Sequence, residues 1–406
     1  MRREEPGASQ SAADTRALIA AVALTTLVQA LVSVAVFSPP LLAPVAQADM
    51  GVTASTVGIF ITLMYIAASL SALRGGALVA RHGPLRVSQH SLLWSAGGIA
   101  LFALASPLVC VIGAFMLGIG YGPVTPASST ILSTRAPHRL RNVIMSIRQT
   151  GVPLGGAIAG TLVPALIVAH GWRVAALTVA GLCAALALAV QPRREYYDAG
   201  RSDAAQSGRV SHLALLRLVF AAPALRELAL VSFAYAAVQV CFSTYLVVFL
   251  IERVGISLVT AGAVFAAAMI AGIVGRIAWG AVADYVGNAR AVLGVLGVVM
   301  AGCAFAITQV SATWPYPGVM ALAVLFGASA IGWNGAFVAE VARIAPAGDI
   351  AQATGATLGM TYLGVVVGPF VFWAIVTVSS SYAIAFAALG VLTSLAALAC
   401  FRAREG

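Results

Sequence analysis

The sequence predicts an all-α membrane protein of about twelve transmembrane helices, arranged as two pseudo-symmetric six-helix bundles. Three observations predict it: an apolar composition, long apolar runs that recur along the whole chain, and an echo between the two halves. Hydrophobic residues make up 61% of the 406 and charged residues only 9%, with a mean hydropathy of +0.98. A soluble globular chain carries about 25% charged residues, so this composition cannot coat a water-facing surface. Runs of roughly 20 apolar residues are long enough to cross about 30 Å of hydrocarbon at about 1.5 Å per residue.

The elements follow from the charged and turn-rich breaks between these runs. In the first half the runs lie near 17–42, 53–75, 88–106, 108–134, 143–168 and 173–191. In the second they lie near 224–250, 257–281, 290–310, 317–343, 352–377 and 381–401. We number them spans 1 to 12. The long polar connection at 192–222, with Arg193, Arg194, Glu195, Asp198, Arg201, Asp203 and Arg209, is a domain linker. The organisation is then a tail at 1–16, a bundle at 17–191, the linker, a bundle at 223–401 and a tail at 402–406. The first run is too long for a signal peptide and lacks a small-residue cleavage site, so it reads as a retained helix.

An even number of spans puts both termini on one side. If that side is the cytoplasm, twenty arginines fall in or beside cytoplasmic segments and only Arg173 and Arg253 lie outside, with Arg276 within a span. That imbalance is a positive-inside signal, and it predicts a multi-pass protein of a bacterial inner membrane with cytoplasmic termini. All 23 basic residues are arginine and the net charge is +10. Their place between apolar runs points to topology and not to a nucleic-acid partner. The five cysteines lie singly within apolar runs and read as small core residues, not as a disulfide framework or metal site.

The halves repeat each other. Gly76 and Gly83 recur as Gly280 and Gly287, Ala136-Pro137 as Ala345-Pro346, Gly118 as Gly327, Gly155 as Gly364, and Val28-Gln29 as Val238-Gln239, at an offset drifting from 204 to 210 residues. Two parallel six-helix repeats suit alternating access around a midplane site.

The loop after span 8 reads Gly280-Ala-Val-Ala-Asp284-Tyr-Val-Gly287-Asn-Ala-Arg290, which resembles the signature loop of the major facilitator superfamily. Its first-half copy, Gly76-Ala-Leu-Val-Ala80-Arg81-His-Gly83-Pro-Leu-Arg86, has Ala80 where the family has aspartate. Span 5, Arg148-Gln-Thr-Gly151-Val-Pro153-Leu-Gly155-Gly156, is similar to the family's Gly/Pro-rich fifth-helix motif, with the proline one place late. Glycines here let helices approach closely and slide, although the same spacing is also ordinary membrane packing. The resemblance implies a gating charge network of Asp284, Arg290, Glu340 and Arg343 at the ends of spans 8 to 10. In the first half Ala80 and Ile131 stand where acids are expected, which leaves Arg81, Arg86 and Arg135 without nearby acids and gives the second half most of the ionic latch.

The thirteen acids avoid span centres, and none occurs between residues 50 and 194. A membrane-embedded carboxylate is the usual proton relay and cation partner, so its absence disfavours a cationic-drug pump. Arg276, about five residues inside span 8, requires compensation. Its spacing to Gly280 and Asp284 is similar to the eighth-helix pattern of monocarboxylate porters and oxalate/formate antiporters, which implies that it engages a substrate carboxylate. The alternative is a tie to the gate through Asp284 or Glu340. Arg148, at the entrance of span 5, is a second candidate. Gln29 and Gln239, at repeat-related places on spans 1 and 7, are expected to line the cavity, as are Tyr65, Tyr121, Tyr235, Asn334 and Tyr362, although lone tyrosines also serve in packing.

These residues predict a secondary transporter of a small organic anion, with efflux of neutral or amphipathic compounds as the alternative. No cofactor is implied, a coupling ion stays open, and the chain is expected to work as a monomer in the lipid bilayer. Scattered histidines and the absence of HExxH, GxSxG or P-loop motifs argue against an enzyme. A glycine-rich two-fold repeat argues against a channel.

Overall fold

A computed structural model describes residues 8–137, 140–199, 223–344 and 350–402. Every regular element among them is helical. In lipid this is forced, because a backbone N–H or C=O without a partner in hydrocarbon costs several kcal/mol, and a helix satisfies both internally.

The first bundle runs through Ala8–Met50, Val57–His82, Pro84–Phe102, Pro107–Tyr121 with Val124–Ser133, Arg141–Gln149 with Gly151–His170, and Trp172–Ala189. The second runs through Pro223–Phe249, Leu258–Val286, Ala289–Ile307, Tyr316–Ala330 with Asn334–Ile344, Ile350–Ser379 and Tyr382–Arg402. Much of the linker, the Ala345-Pro346 repeat, residues 1–7 and residues 403–406 lie outside the described residues.

Eleven of these helices are long and apolar enough to cross a membrane. The twelfth, span 3, is 19 residues long, but the part from Pro84 to Ser95 carries Arg86, Ser88, Gln89, His90, Ser91 and Ser95. The bundle absorbs much of this polarity: Ser88, Gln89, Ser91 and Ser95 are buried. Gln89 Nε2 donates to the carbonyl of Ala187 at 2.9 Å and to Gln191 Oε1 at 2.8 Å on span 6 and its end.

The pairing of helices repeats between the halves. Spans 1 and 5, 2 and 4, and 3 and 6 pack together, as do 7 and 11, 8 and 10, and 9 and 12. Glycines set the approach at equivalent places. A Cβ added at Gly155 would fall on the Ala30 carbonyl, and one at Gly364 on that of Phe233. Gly118 meets the Met64 carbonyl and Gly327 that of Ala268 in the same way. Gly76 and Gly280 face open space instead, while Gly83 and Gly287 have positive φ of 87° and 67° and turn the chain between spans.

Across the halves, span 5 packs on span 8 and span 2 on span 11. These contacts gather at one end. Gly160 meets Gly262, Gly156 meets Met269, Phe37 meets Phe265 edge-on at 5.8 Å, and Thr62 Oγ1 donates to the Val366 carbonyl at 3.1 Å. Toward the arginine-rich end, large apolar side chains such as Leu73, Ile147 and Ile277 are exposed.

Gly155→Val would overpack the seam between spans 1 and 5 and is expected to lose about 1–3 kcal/mol. Gly280→Ala, which faces open space, stays within about 0.5 kcal/mol. Thermal denaturation in detergent distinguishes them, and equal melting temperatures would sink this account of the seam.

Candidate substrate site

Three spans are broken where the candidate site lies. Span 4 breaks at Gly122-Pro123, because Pro123 and Pro126 lack the N–H groups that Ile119 and Gly122 carbonyls would accept. Span 5 breaks at Thr150, one turn before Pro153, whose ring displaces the Gln149 carbonyl. Span 10 breaks at 331–333, where a Cβ on Gly332 would fall on the Ala328 carbonyl and crowd Trp279. Tyr121 ends the first piece of span 4, Arg148 and Gln149 end the first piece of span 5, and Asn334 opens the second piece of span 10.

Arg148 is 2% exposed. Its Nη2 donates to Gln29 Oε1 at 2.5 Å and to Thr125 Oγ1 at 3.3 Å, and Gln29 Nε2 in turn donates to Ser33 Oγ at 3.3 Å. Arg276, from the other half, donates through Nη1 to Gln149 Oε1 at 3.2 Å. The Nε of each arginine is buried without a hydrogen bond. Tyr121 lies within electrostatic reach of both guanidiniums and Tyr362 within reach of Arg148. Tyr65 packs edge-on against Tyr121 with ring centroids 6.1 Å apart. Neither arginine has an ion pair among the described residues. The centre therefore presents two cations from opposite halves, held by neutral amides and hydroxyls and faced by tyrosines.

The other candidates are placed differently. Gln239 Oε1 accepts from Trp333 Nε1 at 2.9 Å and from Asn334 Nδ2 at 3.4 Å, so these three form a second group at the span 10 break. Tyr235 does not line the cavity: it is fully buried, and its hydroxyl donates to the Leu293 carbonyl at 2.7 Å. Pro153, Gly155 and Gly156 are buried in the span 5 seams, and Gly151 packs against Thr26 and Gln29.

The gate differs from the expected network in one member. Arg343 grips buried Glu340 through Nε at 2.9 Å and Nη2 at 2.8 Å. Arg290 pairs with Glu227 at the start of span 7. Asp284 is exposed and enters no ion pair among the described residues. Only tertiary packing brings Glu227 to Arg290. Arg290, Glu227 and Glu340 all lie within electrostatic reach of Cys400.

The first-half loops are also not without an acid. Asp198, just after span 6, is 1% exposed, and its carboxylate accepts the backbone N–H groups of Leu85 at 2.7 Å and Arg86 at 3.2 Å. It caps the start of span 3 and lies 3.6 Å from Arg194. Arg135 sits over the rings of Tyr196 and Tyr197, at 5.0 and 4.6 Å. Arg81 stays exposed, and the Arg86 side chain reaches Gln89 at 3.5 Å.

Comparison with known proteins agrees with this architecture. The profile described as Major Facilitator Superfamily matches residues 22–369. A hexuronate transporter of Bacillus subtilis (strain 168) is 26% identical over 380 residues, 89% of this chain and 88% of that protein. A 4-hydroxybenzoate transporter, PcaK, of Acinetobacter baylyi (strain ATCC 33305 / BD413 / ADP1) is 32% identical over 133 residues, 32% of this chain and 29% of that protein. Among solved structures, the nucleoside transporter NupG (D323A mutant) superposes with a TM-score of 0.77 at 15% identity, covering 94% of this chain and 99% of that one. With its paired six-helix bundles and a family match over most of its length, the chain belongs to the major facilitator superfamily, and it is a multi-pass membrane transporter and not an enzyme.

Proposed function

We propose that the protein carries small organic anions, with a carboxylate-like head bound between Arg148 and Arg276. The observation that carries this reading is the pair of guanidiniums from opposite halves with no acid paired to either among the described residues. A cation held away from water without a counter-charge is costly, and one partner removed from a buried pair costs about 3–5 kcal/mol. An arriving anion supplies the missing charge, and guanidinium edges bind a carboxylate in bidentate fashion. Hexuronate and 4-hydroxybenzoate, the substrates in the relatives' names, are both carboxylates. The relatives named above give no support to efflux of neutral or amphipathic compounds.

The two halves alternate around this site. With the arginine-rich loops in the cytoplasm of a bacterial cell, the closed end is external, so the structure corresponds to an inward-facing state. Gln149 has a part in the cycle. Its neutral carbonyl oxygen holds Arg276 across the halves, and the cargo's carboxylate displaces it. Anion arrival thereby exchanges a single bond to a neutral acceptor for a bidentate pairing of opposite charges, and favours closure. Glu227, Arg290, Glu340 and Arg343 close the second half's share of the arginine-rich end. Each chain holds both bundles and the site between them, so the monomer is the working unit.

In proteoliposomes the protein is expected to take up labelled D-glucuronate or 4-hydroxybenzoate saturably, with unlabelled carboxylates competing. Arg276→Ala should weaken apparent affinity by about 2–5 kcal/mol, which is at least roughly thirtyfold. Arg276→Lys keeps the charge but loses the fork and falls between. Full uptake by both variants would end the anion-clamp reading.

Gln149→Glu places a fixed carboxylate beside Arg276 and is expected to raise KM about tenfold or more, equivalent to roughly 1.4 kcal/mol. Gln149→Ala, which adds no charge, is expected to change it less. Wild-type KM in Gln149→Glu would show that the bridge has no part in anion capture.

A further inference from the structure

A second cationic group lies on the outside of the first bundle. Span 3 packs against spans 1, 2, 4 and 6 of its own half, so the face these leave uncovered looks into lipid. Along that face, at spacings that share one side of a helix, come Arg86 and His90, both half-buried, and then Leu93 and Trp94, both exposed. His82, at the end of span 2, sets its ring edge-on to His90 with centroids 6.2 Å apart. Its Nδ1 lies 3.2 Å from the Leu78 carbonyl oxygen. Arg86, His82 and Arg194 are the charged groups within electrostatic reach of His90.

Among the described residues negative charge is short at this place. Asp198 is the nearby acid, and its two oxygens accept the Leu85 and Arg86 backbone N–H groups in a buried cap. The buried Nε of Arg194 forms an ion pair with Asp198 Oδ2 at 3.6 Å but no hydrogen bond. Glu195 is exposed and enters no ion pair among the described residues. The stripe therefore changes from basic to apolar within about two helical turns, in the order in which a lipid changes from headgroup to acyl chain.

We infer that this stripe binds an anionic phospholipid. Its phosphate lies among Arg86, His90 and Arg194, with His82 at the rim, and an acyl chain runs along Leu93 and Trp94. Basic pockets between membrane helices attract anionic headgroups. Guanidiniums bind phosphate oxygens through charge-assisted hydrogen bonds, and tryptophan is favoured at the level where headgroup meets chain. The bound lipid joins the span 2–3 loop to the segment that follows span 6. Dissolved phosphate would meet the same cations but has no chain for the apolar half of the stripe.

The test uses the full chain in detergent, with phosphatidylglycerol, phosphatidylcholine or inorganic phosphate added. Native mass spectrometry is expected to retain one phosphatidylglycerol per protein in preference to phosphatidylcholine, and phosphatidylglycerol to raise the melting temperature by several degrees. A His90→Gln/Arg194→Gln double variant should lose that preference about tenfold. A second measurement leaves the charges untouched: phosphatidylglycerol with brominated chains, diluted in phosphatidylcholine, should quench Trp94 more than brominated phosphatidylcholine does, with Trp94→Phe isolating its share. Equal retention of the two lipids, equal quenching, or undiminished preference in the double variant would each overturn the proposal. Stabilisation by inorganic phosphate equal to that by phosphatidylglycerol would reassign the cations to a soluble anion and overturn it too.

Discussion

The close backbone approach of spans 1 and 5 is the constraint on which the central site depends. Lipid tails are as apolar as leucine, so helices in a bilayer gain little from hiding apolar surface and associate through dispersion contact and hydrogen bonds. That contact requires residues without side-chain bulk. Gly151 and Gly155 supply it against Thr26, Gln29, Ala30 and Ser33. The same seam sets Gln29 against Arg148, so the packing that joins two spans also holds one of the two central cations. Pro153, between these two glycines in the sequence, breaks span 5 next to Gln149. Packing, helix break and charge placement are thus one local arrangement.

The two halves share a skeleton and differ in chemistry. Gln29 and Gln239 occupy repeat-related places, yet one holds an arginine and the other holds Trp333 and Asn334 at a helix break. The loop between spans 2 and 3 is fastened by Asp198 from beyond span 6. In the second half Glu227, from the start of span 7, pairs with Arg290 at the equivalent loop. A repeated fold fixes where helices meet and leaves the side chains at the meeting points free to diverge.

Much of the fold was legible because lipid imposes its demand on every residue of a span. Span 3 was still legible, because its apolar run near 88–106 stands out despite the polar residues at its start. Arg148, Arg276 and Gln29 were legible because a charge or amide in an apolar run is conspicuous. Gln149 and Thr125 were not: an uncharged polar residue beside an arginine or in a proline-rich turn reads as its flank. Asp198 and Glu227 were missed for another reason. An acid near the end of a span looks solvated in sequence, and only packing between segments 63 to 113 residues apart shows that it caps a helix or pairs with an arginine. Asp284, which the motif places in the gate, is exposed and enters no ion pair among the described residues.

The closed end of the molecule is a dry seam. Gly160 against Gly262, Phe37 against Phe265 and the Thr62 hydroxyl on a backbone carbonyl hold it, and the ion pair at that level, Arg173 with Asp49, lies within one half. The opposite end is dense in arginine. Dissolved salt screens charges and leaves dispersion contacts untouched, so ionic strength acts on the arginine-rich end and, at the other, on the Arg173–Asp49 pair but not on the seam itself.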